Sequence, residues 1–285
     1  MLAFSLLVSL SFSLGHLIAN QIAPAALMTL RFALASLVMI GVVRVFGVAI
    51  APVFARFWRF LLIGGCMAVY FITMFEALRL TTAVSTATMF TLSPLLAAGF
   101  GYLLLSQRTS LATFTALSIG ALGAVWVIFR ADLGALLRFE IGRGEAIFAI
   151  GAVAHGAVPV LSRKLLGDVT PLQAALGTTV GALIVSGAYG FSDLVAVPFE
   201  SLPAQVWLVL LYLAVVTTAV TFFLVQYASK RLPGSKVMAY TYLVPSWVVM
   251  WDLAFNGARP APAILLGIGC TIVALIMLLR DEEFG

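Results

Sequence analysis

The chain has 285 residues, 63% of them hydrophobic and only 9% charged, against roughly 45–50% and roughly 25% in an ordinary soluble domain. Mean hydropathy is +1.15, and 16 + 11 = 27 charged side chains do not coat a water-soluble globule of 30.3 kDa. A soluble enzyme, a nucleic-acid binder and a receptor with a large external domain are excluded, and the net charge of +5 is read by side of membrane rather than as affinity for nucleic acid.

A helix needs about 20 apolar residues to cross about 30 Å of hydrocarbon. Apolar runs broken at charges, Pro and Gly predict ten spans, at 3–20, 24–46, 57–79, 82–105, 110–130, 145–164, 171–190, 205–227, 235–256 and 262–280. Met1-Leu2-Ala3-Phe4 has no basic region and no clear cleavage site follows it, so this stretch reads as the start of the first span and not as a signal peptide. Residues 131–144 hold Asp132, Arg138, Glu140 and Arg143 among Leu133, Leu136, Leu137 and Phe139, the pattern of a short amphipathic segment on the membrane interface. Cys66 and Cys270 each lie alone in an apolar run and read as buried small residues, not as a disulfide or a metal site.

An even number of spans puts both termini on one side. With them cytoplasmic, the inner loops and C-terminus carry ten Lys and Arg and the outer loops five, with Arg31 inside a span completing the sixteen. This excess favours cytoplasmic termini. Trp207 and Trp251 then lie near the outer interface and Trp58 near the inner one, where aromatic anchors sit.

The two halves of the chain echo one another. Pro24 and Pro171 open spans two and seven, Pro94 and Pro245 fall within spans four and nine, and the separations are 94 − 24 = 70 and 245 − 171 = 74. Aligning Pro94 with Pro245 also matches Ala77 with Ala228, Leu92 with Leu243 and Arg108 with Arg259. An odd number of spans per half makes the halves inverted, a recurring build of secondary transporters, with the substrate site at the midplane between repeats. The expected fold is an all-α membrane protein of ten transmembrane helices in two inverted five-helix repeats without an extramembrane domain. Its parts are residues 1–130, an outer interfacial connection at 131–144 and residues 145–285. Pro94 and Pro245 are candidate gating positions, since a proline within a span permits a bend.

The stretches PAALMTLRFALA at 24–35, EALRLTTAVSTATMFTLSPLLAAGFGYLLLSQR at 76–108 and ASKRLPGSKVMAYTYLVPSWVVMWDLAF at 228–255 resemble the EamA repeat of the drug/metabolite transporter superfamily. The resemblance covers nearly the whole chain. It implies a small-molecule substrate, no cofactor, no enzyme activity and a multi-pass protein of the bacterial inner membrane. The family's span four often ends in Leu-Gly-Glu, whereas this chain has Leu105-Ser106-Gln107, with Ala258 at the place matching Gln107 in the second half. Length and an aromatic-rich span nine look most like aromatic amino acid exporters of the YddG type.

Polar groups in lipid are costly unless they are partnered or face a watery cavity. His155 lies near the midplane of span six beside Gly151 and Gly156. It would hydrogen-bond a substrate carboxylate, carry a proton or join two helices. Tyr70, Met89, Phe90, Ser246 and Trp247 lie at a similar depth and Tyr240 lower, giving apolar walls with a few polar groups for a small amphipathic substrate. Ser11, Ser13, Ser93, Thr217, Thr218 and Thr221 share that level, where interhelical hydrogen bonding is the plainer role. Arg31 is about 10 Å below the outer end of span two. It seeks Glu76 or Asp252 as an ion-pair partner, or an anionic group of the substrate, with His16 and Asn20 in the same outer vestibule. No carboxylate lies at the midplane, which favours an uncoupled facilitator or exchanger. Gly177 and Gly181 have GxxxG spacing, which packs helices within a monomer or joins a weak dimer. The leading function is export of aromatic and other neutral amino acids by alternating access. Carriage of drugs, cations or nucleotide sugars is the alternative within transport. An intramembrane enzyme is disfavoured, because no G-x-S-x-G, H-E-x-x-H or paired midplane Asp is present.

Overall fold

A computed structural model describes residues 1–129, 134, 141–257 and 262–280. Most of the expected interfacial segment, including Asp132, Arg138 and Glu140, lies outside the described residues, as do Arg130, Ala258 and Arg259. Among the described residues the regular structure is helical throughout. This is what lipid imposes, since a helix satisfies its backbone N–H and C=O groups internally.

The first part of the chain forms α1 (Leu2–Ile18), α2 (Pro24–Val45), the short α3 (Ala51–Ala55), α4 (Trp58–Leu78), α5 (Ala83–Phe90), α6 (Ser93–Leu105) and α7 (Leu111–Ile128). The second part forms α8 (Arg143–Leu165), α9 (Pro171–Val195), α10 (Ala204–Ala214), a π-helical turn at Val215–Val220, α11 (Thr221–Ser229), α12 (Gly234–Ala239), a 3-10 turn at Tyr240–Leu243, α13 (Val244–Asn256) and α14 (Pro262–Arg280). Eight helices among the described residues are long and apolar enough to cross a membrane, counting Ala83–Leu105 and Ala204–Ser229 as one each. The apolar Leu2–Ile18 is shorter, at 17 residues. The run expected as span nine is divided into α12, the 3-10 turn and α13. Span seven was expected to end at Gly190; instead the backbone leaves helical geometry there (φ −98°, ψ 16°) and the helix resumes to Val195.

Helix starts follow the sequence. Thr82, Ser110 and Thr170 each accept a backbone N–H three residues on, and Gln173 completes a capping box at Thr170. Pro24, Pro94, Pro171 and Pro245 stand in first turns, where a missing N–H costs nothing. Pro94 and Pro245 are therefore starts of second helical segments after breaks, not kinks within continuous spans.

One offset recurs along the chain. α5 and α12 start 234 − 83 = 151 residues apart, α6 and α13 start 244 − 93 = 151 apart, and α7 and α14 start 262 − 111 = 151 apart. α6 and α13 are each 13 residues long. Each ends on a left-handed residue, Ser106 at φ 54° and Gly257 at φ 63°, again 151 apart.

Glycine sets the tightest contacts. A Cβ on Gly64 of α4 would strike the backbone of Thr178, Gly181 and Ala182 in α9, and one on Gly181 would strike the backbone of Phe60. Gly177 receives the Phe60 ring, and Gly123 of α7 faces Gly267 of α14. The GxxxG pair thus packs helices within one chain. Cys66 and Cys270 are both free and half-buried.

Ser106 holds a backbone conformation that disfavours a Cβ, at the place where the second half has Gly257. Replacing Ser106 by Gly is expected to raise stability by about 0.5–1 kcal/mol, read as a higher midpoint of thermal unfolding in detergent. Gly257→Val is expected to lower it.

Candidate functional site

Three residues expected to share a cavity do meet. The His155 ring from α8 lies 4.4 Å from Tyr70 of α4 and 4.7 Å from Phe90 of α5 between centroids. Tyr70 and Phe90 stack at 5.3 Å. Phe12 and Phe148 extend the group, each reaching Phe90 or Tyr70 at 5.7 Å. Tyr70, Phe71, Phe90, His155, Phe222 and Gln226 border a central cavity of about 20 Å³, room for about one water molecule. Space for a metabolite here requires the helices to part. Two polar atoms at this centre, the Tyr70 hydroxyl and His155 Nδ1, are buried without a hydrogen-bond partner among the described residues. Pro159 lies inside α8, four residues after His155, so the carbonyl of His155 lacks its usual helical donor. A hydroxyl, a ring nitrogen and a backbone carbonyl are thus available to a ligand amid aromatic walls.

Arg31 corrects the sequence reading. It is fully buried, and its partner is neither Glu76 nor Asp252. Its Nε donates to Thr218 Oγ1 at 2.7 Å and its Nη2 to Thr217 Oγ1 at 3.0 Å. Among the described residues Nη1 reaches only the Met28 sulfur, at 3.9 Å, a weak acceptor. The guanidinium carbon lies 3.7 Å from the Phe71 ring centroid, a cation–π contact. The threonines belong to the π-helical turn Val215–Val220, a form of helix frequently found at functional sites. The ion-pair expectation failed because the two carboxylates are held elsewhere. Glu76 Oε2 accepts from Arg79 Nη1 at 3.1 Å, and Asp252 Oδ1 accepts from Ser13 Oγ at 3.4 Å.

Other candidates stand apart from the centre. His16 Nδ1 meets the carbonyl of Leu78 at 2.9 Å, and Asn20 Oδ1 accepts from Arg79 Nε at 3.4 Å, so these two bind the end of α1 to the end of α4. Met89 is buried next to Phe90 but does not border the cavity. Trp247 Nε1 donates to Ser5 Oγ at 3.3 Å and Trp251 Nε1 to Ser9 Oγ at 3.0 Å. With Ser13 and Asp252 they make a polar ladder between α1 and α13, whose steps at 5, 9 and 13 share one helix face. Ser246 lies on α13 with its hydroxyl buried and, among the described residues, unpartnered, as is that of Ser11. Tyr240 is half-buried, and Tyr242 is the fully buried member of that pair. Tyr242 packs against Gly120 of α7, a structural contact.

Sequence reasoning passed over Glu145. It lies in the first turn of α8, only 3% exposed, and accepts from Thr81 Oγ1 at 2.6 Å and Ser85 Oγ at 2.5 Å. The signal was a carboxylate just inside a helix start, where the helix dipole favours it. At the other end of the bundle, Arg59 Nη1 donates to Asp168 Oδ1 at 2.7 Å and to the Leu165 carbonyl at 2.6 Å. The Arg59 hydrogen bond holds the Asp168 carboxyl below the ordinary carboxylate range.

These features define a class: a polytopic helical membrane protein with broken helices and buried polar groups around a central cavity, the arrangement of a carrier. Residues 142–280 match the EamA-like transporter family. Over 282 residues the chain is 23% identical to the uncharacterized transporter YyaM of Bacillus subtilis (strain 168), covering 96% of this chain and 90% of that protein. A solved crystal structure shares the fold at a TM-score of 0.76 and 18% identity, over 97% of this chain and 95% of the other. The family match over residues 142–280 and the likeness to a transporter along nearly the whole chain support a membrane transporter.

Removing the buried Glu145 carboxylate leaves two half-buried hydroxyls without their acceptor, a loss of about 1 kcal/mol. Glu145→Leu is expected to lower the thermal midpoint in detergent, while Glu145→Gln, which keeps an acceptor oxygen, retains most of it.

Proposed function

We propose that this protein exports small amphipathic metabolites with a carboxylate, aromatic and other neutral amino acids first among them, as YddG-type exporters do. The mechanism is alternating access between two inverted five-span repeats. The observation that carries this reading is Arg31, a cation buried in the membrane domain with no carboxylate among its contacts in the described residues. A charge at such depth costs about 2.5–3.5 kcal/mol on insertion scales. A substrate carboxylate would offset that cost, pairing with the side of the guanidinium that now meets only sulfur. Phe71 stands over the guanidinium and borders the central cavity, so its rotation would open a path from the aromatic centre to Arg31. The substrate's ammonium would rest on the ring faces of Tyr70 and Phe90 and the carbonyl of His155, its side chain among the phenylalanines.

The repeated offset of 151 residues supports the two-repeat build, with Leu2–Ile18 and Gly234–Asn256 completing ten spans. The helix breaks before Pro94 and Pro245 are the places where each half would bend. Ten basic residues against five by face support the bacterial inner membrane with both termini cytoplasmic. The intramolecular use of Gly177 and Gly181 supports a working monomer.

The test is counterflow in proteoliposomes at equal internal and external pH, following labelled phenylalanine into vesicles loaded with unlabelled amino acids. Accumulation above empty vesicles is expected. Arg31→Gln should reduce it about tenfold or more, and His155→Ala should weaken it. Phenethylamine, which lacks the carboxylate, should fail to compete. Flat traces across the amino acid panel with folded protein would overturn the amino acid reading.

A further inference from the structure

Gln226 of α11 is a polar side chain in the apolar run Phe222-Phe223-Leu224-Val225-Gln226-Tyr227. It is 2% exposed and borders the central cavity, as does Thr178 of α9. Its Nε2 donates to Thr178 Oγ1 at 3.3 Å, the one hydrogen bond it makes among the described residues. A glutamine amide also accepts through its oxygen, and Oε1 accepts nothing from the described residues. A buried polar group left unused is costly, and this one borders the space that a substrate enters. A file of rings joins the amide to Arg31. The Arg31 guanidinium carbon is 3.7 Å from the Phe71 centroid, and Phe71 stacks on Phe222 at 6.2 Å. Gln226 follows Phe222 by one helical turn on the same face of α11. Thr218, which holds Arg31, precedes Gln226 by 226 − 218 = 8 residues, about 12 Å of helix. A tyrosine with a hydrogen bond at each end spans about that length.

Resting on the amino acid reading, we infer that Gln226 reads the far end of the substrate's side chain and makes the carrier prefer tyrosine to phenylalanine. With the carboxylate on Arg31 and the ring among Phe71, Phe90 and Phe222, the phenolic hydroxyl donates to Gln226 Oε1. Thr178 is a positioning residue, since its hydroxyl holds the amide nitrogen and so sets where the oxygen points. An apolar pocket alone discriminates poorly between substrates that differ by one hydroxyl. A site with a buried amide discriminates well, because a substrate lacking the hydroxyl leaves the amide unpaired in a place that water has left. Phenylalanine and its 4-methyl derivative both carry that cost. Tyrosine, which donates and accepts through one oxygen, removes it.

The full-length protein in proteoliposomes is assayed for counterflow of labelled phenylalanine against external tyrosine and external 4-methylphenylalanine, which matches tyrosine in size but has no donor. The quantity read is the ratio of their half-inhibitory concentrations. Tyrosine is expected to compete about tenfold more strongly. Gln226→Met should bring the ratio to within about twofold of unity, and Thr178→Val should lower it about threefold by releasing the amide. If Gln226→Met does not purify as a monodisperse protein, Thr178→Val carries the test. A bond that only packs α11 against α9 would lower the thermal midpoint in these variants and leave the ratio intact, which overturns the inference. So does equal competition by the two compounds in the unaltered protein. In both cases phenylalanine counterflow persists and the amino acid reading stands. Flat uptake with every amino acid overturns that reading and this inference together.

Discussion

The lack of hydrogen-bonding solvent in the bilayer governs this molecule. Every backbone N–H and C=O at depth needs a partner from the chain, so each departure from a regular α-helix needs a local compensation. The departures are few: the turn between α5 and α6, the π-helical turn in the eighth expected span, the 3-10 turn before α13, and Pro159 inside α8. The turn between α5 and α6 and the π-helical turn are answered by side chains. Thr91 returns its hydroxyl to the Thr88 carbonyl at 2.6 Å, and Thr217 and Thr218 bond back to the Leu213 carbonyl at 2.9 and 2.8 Å. The threonine hydroxyls of the π-helical turn then also accept from Arg31. A wound-open turn and a buried cation stabilise one another, since the turn supplies oxygen where the cation would otherwise be bare.

This reciprocity explains what the sequence revealed and what it hid. Long apolar runs, prolines in first turns and Ser or Thr caps are local signals, so element positions were legible to within a few residues. The meeting of His155, Tyr70 and Phe90 was legible from depth, because residues at one level of a thin bundle have few neighbours to choose among. Partner choice was not. Arg31 could reach carboxylates by depth, but Glu76 lies one helical turn from Arg79 and is taken locally. The π-helical turn adds one residue to a helical turn and rotates everything after it, an effect that composition does not signal. Trp247 turns to Ser5 of α1, a choice of partner that depth does not dictate, since depth says nothing of helix rotation. The Ser5, Ser9 and Ser13 face of α1, repeating every four residues, was present in the sequence, but its partners on α13 are about 240 residues away.

The contacts divide by how easily they break. α4 meets α9 through Gly64 and Gly181, backbone against backbone, and α7 meets α14 through Gly123 and Gly267. Such contacts are bistable rather than sliding, because the surrounding side chains interdigitate at the density of a crystal. α1 meets α13 differently, through single hydrogen bonds from Trp247, Trp251 and Ser13. Each bond contributes only about 0.5–1.5 kcal/mol net, and its donors and acceptors find new partners once a cavity fills with water. Under the proposed alternating access the glycine-packed pairs would move whole, and the polar ladder would be the seam along which they part.

Charge follows the same division. The face bearing Arg59 carries most of the described cations and a single described carboxylate, whereas Glu76, Glu145 and Asp252 all belong to the opposite end. Glu145 and Asp252 at that end accept from hydroxyls of helices other than their own, so opening that end separates neutral donors from carboxylates, and water replaces them at little cost. At the other end Arg59 holds Asp168 and the Leu165 carbonyl. The two ends therefore differ in what holds them shut. One is held by carboxylates that accept from hydroxyls, the other by the charged Arg59–Asp168 pair, and Arg31 is buried between them against Thr217 and Thr218.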